Sequence, residues 1–256
     1  MKKSIHILFA GALLASASGA MAAGLTASPA VSSDLTVHGD VHGASAYNFR
    51  GQEFSAGDPS IGASVWAHHA SGLYGGLTTD TVKLGDPRTG DQASKKNQLH
   101  NSLTVGYQRA VGDFGLTLGG GATRHIFTGK GSVNELSFSE LFVNANWHGV
   151  HGKLSAVVEG ADLAAPGFAR GDVYGELGYT HRFGNYHVGG DLGYGWYDGK
   201  HTGAKDGLAM AQLRAGYNFT PELDVQLTHQ LAWGENAYGS GSTGNNTTFV
   251  KATYRF

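Results

Sequence analysis

Apolar and polar residues alternate along most of this sequence, and that period of two limits the folds open to it more than any other feature. In the first segment Leu35, Val37, Val41, Tyr47 and Phe49 share one face of an extended chain, while His38, Asp40, His42, Asn48 and Arg50 share the other. The pattern recurs in Leu99 to Arg109, Phe114 to Phe127, Val173 to Phe183, Tyr186 to Trp196 and Leu223 to Trp233. Further strands are predicted near Ser60–His68, Leu73–Leu84, Ser137–Trp147, Val150–Glu159, Leu208–Phe219 and Thr247–Phe256. The expected fold is all-β: a transmembrane, antiparallel, up-and-down barrel of about twelve strands, apolar outside and polar inside.

The connections support this independently. One set is short: His69-Ala70-Ser71-Gly72, Ala110-Val111-Gly112-Asp113, His148-Gly149, Gly184-Asn185 and Thr220-Pro221-Glu222. The other set is longer and rich in Gly, Ser, Asp and Lys, as in Gly85–Gln98, Gly160–Asp172, Asp198–Lys205 and Gly234–Asn246. Short and long links alternate, as short periplasmic turns and long extracellular loops do in an outer-membrane barrel, and an even strand number returns both ends to one side. Tyr107, Phe114, Trp147, Phe183, Tyr186, Tyr217, Phe219, Tyr254 and Phe256 gather at the short-turn ends of the strands, which predicts an aromatic girdle. A soluble sandwich would also alternate but needs no such clustering.

The amino terminus points to export. Lys2 and Lys3 precede an apolar stretch from Ile5 to Leu14 and small residues ending at Ala20-Met21-Ala22, the order of a cleaved signal peptide, predicted as residues 1–23 with the barrel as 24–256. The apolar run is too short for a spanning helix, which needs about 20 residues. Removing it leaves 16 basic and 20 acidic residues of the 18 and 20 in the whole chain, a formal net charge of −4, so no nucleic-acid partner is expected. With no Cys, neither disulfides nor thiolate metal sites are available. The 41 Gly, 11 Tyr and 12 Phe disfavour helix and favour strand. Curvature of a closed barrel accounts for some of the strand glycines, such as Gly119-Gly120-Gly121 and Gly189-Gly190.

Among chemistry-bearing residues, the charges on the predicted lumen face stand out. The expected pore-lining set is Asp40, Arg50, Glu140, Glu159, Glu176, Arg182, Asp191, Arg214, Lys251 and Arg255, with Lys153 and Asp224 on the same face. Such charges are either paired, closing the lumen, or wet, lining a path. The 13 histidines raise the question of metal. His38 and His42 lie about 13 Å apart along one strand, too far for one ion. His68-His69 and His148 with His151 fall near turns, where zinc would need further ligands from neighbouring hairpins, and no metal or other cofactor is expected. Gly239-Ser240-Gly241-Ser242-Thr243-Gly244 has the spacing of a dinucleotide-binding loop but lacks the strand-to-helix context, and reads as a surface loop. His229 is the His placed outward in the upper half, as a barrel-wall hydrolase would need, but no serine is fixed beside it.

Three stretches resemble the TorF-type porin family of outer-membrane proteins: Tyr47-Asn48-Phe49-Arg50-Gly51, Asp58-Pro59-Ser60-Ile61 and Ser71-Gly72-Leu73-Tyr74-Gly75-Gly76. Ala46 departs from the Asp of that pattern, and Gln52 from its usual aliphatic. The terminal Tyr254-Arg255-Phe256 is similar to the aromatic carboxy-terminal signal read by the outer-membrane assembly machinery, which makes that machinery an expected partner beside outer-membrane lipid. The resemblance implies a porin, and Arg50 combines it with a lumen position. The expectation is an outer-membrane, non-enzymatic channel for passive diffusion of small hydrophilic solutes or ions. A closed structural or loop-presenting, adhesin-like barrel is the alternative, and an outer-membrane hydrolase the third.

Overall fold

In lipid each backbone N–H and C=O needs a partner within the protein, which leaves an alternating β sequence one solution: a sheet closed on itself. The structure, a computed structural model describing residues 34–84, 98–130, 132–161, 168–197, 205–233 and 246–256, takes that solution. Twelve antiparallel strands form the wall: β1 (Leu35–Ala44), β4 (Ser60–His69), β5 (Leu73–Val82), β6 (Gln98–Val111), β7 (Leu116–Thr128), β8 (Phe138–Trp147), β9 (Val150–Glu159), β10 (Val173–Phe183), β11 (Tyr186–Trp196), β12 (Gly207–Asn218), β13 (Leu223–Ala232) and β14 (Thr247–Arg255). Each pairs with its sequence neighbours, and β1 closes the ring against β14 with Asp40 opposite Arg255 and Ala44 opposite Lys251. Two further short strands, β2 (Asn48–Phe49) and β3 (Gln52–Glu53), pair only with each other. Residues 1–23, residues 85–97, 162–167, 198–204 and 234–245 of the four long connections, and with them the 239–244 glycine loop, lie outside the described residues.

The outward face carries the apolar half of the alternation. Ile61, Leu103, Val105, Leu141, Val143, Leu177, Leu192 and Leu213 are each more than half exposed, an arrangement suited to hydrocarbon and costly in water. At the short-turn end Phe114, Trp147, Phe183, Tyr186, Phe219, Tyr254 and Phe256 are all at least 49% exposed and form the girdle read from sequence. The strand limits agree with that reading to within two residues, except in the first. There β1 stops at Ala44, and Tyr47 and Phe49, expected on its lipid face, are buried inside the barrel.

The strand glycines have a second role besides curvature. Inward-facing large side chains lie across glycines at register-opposed positions of the next strand: Trp66 over Gly76, and Phe142 over Gly121. His187 covers Gly216 in the same way. A Cβ at Gly121 would meet the Val105 carbonyl oxygen at 2.2 Å, so even alanine would displace backbone there. The rings of Trp66, Tyr74 and Phe142 thus pack into one buried cluster against a wall with no side chain beneath them. Gly121→Ala is expected to destabilise the barrel by about 1–3 kcal/mol, measured as a lower midpoint of urea unfolding in lipid vesicles. Gly43→Ala, where the nearest atom lies 3.9 Å away, should match the wild type.

Candidate functional site: the hairpin-constricted lumen

Residues 45–59 connect β1 to β4 by folding into the barrel. Arg50 and Gly51 both adopt positive φ, 51° and 87°, as a two-residue primed turn requires, and so reverse the chain between Phe49 and Gln52. For Arg50 this left-handed backbone costs about 1–2 kcal/mol. The hairpin is fastened at its base by Ser45 N–H to the Val250 carbonyl (2.9 Å), Phe54 N–H to the Tyr47 carbonyl (2.7 Å) and Lys83 N–H to the Phe54 carbonyl (2.7 Å). Tyr47, Phe49 and Phe54 pack with Val82, Phe127, Val133, Leu136, Phe138, Val157 and Phe168, a core set at the loop end of the barrel. Each buried ring contributes about 1.5–3 kcal/mol of transfer free energy, enough to offset the strain at Arg50.

The tip crosses the lumen. Arg50 forms an ion pair with Glu140 on β8, five strands from β1 around the ring, and its guanidinium lies over the Phe49, Phe138 and Tyr174 rings at 5.0, 5.8 and 4.9 Å from their centroids. On the other side the Gln230 amide of β13 donates to the Asn48 side-chain oxygen at 3.1 Å, and a Cβ on Gly51 would come within 3.1 Å of the Ala209 carbonyl of β12. Glu140 is 1% exposed and also pairs with Lys153 at 3.2 Å. Two histidines link hairpin and wall: Tyr47 Oη to His100 Nδ1 at 2.9 Å, then His100 Nε2 to His125 Nδ1 at 3.0 Å, with His125 Nε2 3.5 Å from Glu140. At the loop-side end of β11, burial pushes the Tyr197 hydroxyl up to about 12, so it remains a neutral phenol beside this layer.

Below the hairpin the charges pair along the wall, within a strand or between strands that are adjacent or one apart. Asp191 on β11 takes Arg214 from β12 at 2.7 Å, the Gln212 amide at 2.8 Å and His151 from β9 at 2.6 Å. Asp224 takes His187 at 2.6 Å and Arg255 at 3.9 Å. Asp40 bonds His42 at 2.7 Å and also Ser64. Glu176, Arg182 and Lys251 also occupy inward positions of β10 and β14. These pairs run along the wall, whereas the hairpin tip reaches from β12 and β13 to β8.

Of the expected lumen residues, one enters the lumen by another route and one lies outside it. Arg50 reaches the lumen from the inner hairpin, not from the wall, because the chain leaves the sheet after Ala44. Glu159 lies outside it: a register shift between β8 and β9 skips Val158, turning Glu159 to the outer face, where it pairs with Arg124 at 2.5 Å beside Ser139. His100, His125 and Tyr174 were missing from the predicted set. Their signal was present in the inward register of β6, β7 and β10, but neutral residues draw no attention without the hairpin they touch. His229 faces outward, with its Nδ1 2.8 Å from the Thr248 hydroxyl.

No family model and no curated protein matches this chain. Solved structures do. A chain described under "Unveiling the Mechanism Behind the in-meso Crystallization of Membrane Proteins" is 8% identical with a TM-score of 0.51, the match covering 86% of this chain and 83% of that one. The likeness is one of fold. Outer membrane phospholipase A from Escherichia coli (10% identity, TM-score 0.48, 85% of this chain and 91% of that one) and an outer membrane channel from Pseudomonas putida F1 (12%, 0.47, 89% and 97%) also match.

Removing the hairpin's cation should expose the cost of its buried partner. Arg50→Ala is expected to destabilise the protein by about 3 kcal/mol, because the buried Glu140 then retains only the partly exposed Lys153 as a cation. Adding Glu140→Gln should recover more than half of that loss in the same denaturation measurement.

Proposed function

We propose that this protein is an outer-membrane channel giving small hydrophilic solutes or ions a narrow passive route, constricted by its own β2–β3 hairpin. One observation carries the reading. The side chain of Lys153, on the lumen face directly at the Arg50–Glu140 bridge, is 43% exposed, which supports a water-accessible lumen at the hairpin layer. The hairpin tip reaches across by side-chain contacts, the Arg50–Glu140 ion pair and the Gln230–Asn48 hydrogen bond, whereas the wall is held by backbone ladders. Arg50, Glu140 and Lys153 then set selectivity by their field at the narrowest point. The resemblance to the TorF-type porins enters at the same place, since Tyr47–Gly51 are the residues that build the hairpin. The exposed aromatic girdle, ending in Phe256, suits insertion into the outer membrane by its assembly machinery.

The aromatic core at the loop end favours a second reading, a closed barrel that presents its loops, because Phe127 and Phe138 are completely buried there. Single-channel recording in planar bilayers separates the two. The wild type should show small, salt-dependent openings. Arg50→Ala should raise conductance and shift the reversal potential in a salt gradient toward cations. Replacing residues 46–54 by a short Gly-Ser linker should raise conductance several-fold. A folded barrel that conducts in none of these forms would sink the channel reading and leave the closed one.

A further inference from the structure

Three consecutive strands bring an imidazole and two carboxylates together on the lumen wall. His151 on β9 and Asp191 on β11 are both register partners of Gly178 on β10, and Glu176 stands two residues along β10 on the same face. Their ligand atoms all lie within 4.8 Å of one another. Gly178 makes this possible: a Cβ there would sit 2.1 Å from Asp191 Oδ1 and 2.3 Å from His151 Nε2, in the space where the two side chains meet.

We infer that His151, Glu176 and Asp191 form a lumen site for a divalent transition-metal ion such as Zn²⁺. Donor chemistry selects this class: one imidazole nitrogen with carboxylate oxygens suits zinc or cobalt, while calcium and magnesium prefer all-oxygen shells. Tetrahedral donors about 2.1 Å from zinc are separated by about 3.4 Å. The present spread, from 2.6 Å between His151 Nε2 and Asp191 Oδ1 to a limit of 4.8 Å, therefore needs side-chain rotations of roughly 1 Å.

Three features distinguish the group from an ordinary wall pair. Both ring nitrogens of His151 face oxygen acceptors, Nδ1 the Gly149 carbonyl at 3.4 Å and Nε2 the Asp191 carboxylate. A neutral imidazole donates to only one of them and an imidazolium to both; a metal ion between Nε2 and Oδ1 takes the place of that second proton, with Nδ1–H on the carbonyl orienting the ring. Arg214 and Gln212 hold Asp191 at Oδ2, at 2.7 and 2.8 Å, and Arg214 Nη2 reaches Oδ1 at the longer distance of 3.3 Å, so Oδ1 makes its shortest contact with His151 inside an outer shell of the kind that positions ligating carboxylates. Glu176 makes no hydrogen bond or ion pair among the described residues; Lys153, opposite it in register, engages Glu140 instead. With Arg214 balancing Asp191, a divalent ion supplies the charge that Glu176 lacks, and the fourth position faces the lumen.

The test is Co²⁺ titration of the refolded protein in detergent micelles, followed by the visible d–d absorption of the bound ion and by Zn²⁺ competition. Micelle binding is independent of conductance, so its failure and failure of the channel reading are separate results. The wild type should bind one equivalent with a four-coordinate spectrum. Glu176→Gln, which keeps side-chain volume, and His151→Ala should each weaken binding at least about tenfold. Gly178→Ala should do the same with all donors present, while His69→Ala and His148→Ala should bind as wild type. A wild type without a saturable one-equivalent spectrum overturns the proposal. So does wild-type binding by Glu176→Gln and His151→Ala, whatever Gly178→Ala does.

Discussion

Closure of the backbone ladder is the constraint on which everything else here depends. An open sheet would leave a row of N–H and C=O groups facing hydrocarbon, at several kcal/mol each. The seam between β1 and β14 removes that edge, and its last bonds are reciprocal: Gly39 N–H to the Phe256 carbonyl at 2.9 Å and Phe256 N–H to the Gly39 carbonyl at 3.0 Å. The terminal residue therefore contributes twice, through its main chain at the seam and through its exposed ring in the girdle.

Closure fixes which side chains share the interior, and the interior must then be filled or wetted. Near β4 to β8 it is filled, by rings lying across glycines of the next strand. Around β9 to β14 it is polar, with acids held by His and Arg from nearby strands. The same device serves both halves. A glycine opposite a large side chain lets that side chain lie flat along the wall, whether it is Phe142 over Gly121 or His187 over Gly216. At Gly178 two polar side chains arrive from both neighbouring strands, and the device produces a cluster of donors in place of a packed ring.

The inner hairpin turns a plain barrel into a constricted one. It combines an aromatic anchor of Tyr47, Phe49 and Phe54 with a charged tip, so apolar burial holds the element in place while Arg50 supplies the contact across the lumen. In the proposed channel, charged groups at such a layer would act on a passing solute, because low-dielectric walls concentrate their field. The His100–His125 pair ties the hairpin's Tyr47 to the wall at the same level, so the constriction is one connected network.

By itself the sequence determined the strand limits from β4 to β14, the alternation of short turns and longer links, and the girdle, because all of these follow from period-two patterning and local turn chemistry. Val150–Glu159, Val173–Phe183 and Tyr186–Trp196 were legible to the residue. Only the tertiary structure decided the rest. The alternation of Tyr47, Phe49 and Arg50 is that of a strand whether it faces lipid or folds inward, and the choice rests on Phe127, Phe138 and Phe168, which are distant in sequence. Glu159 faces outward because of a one-residue register shift that periodicity does not record. The convergence of His151, Glu176 and Asp191 depends on the stagger of three paired strands over Gly178, and register between strands is a property of the closed barrel, not of any one segment.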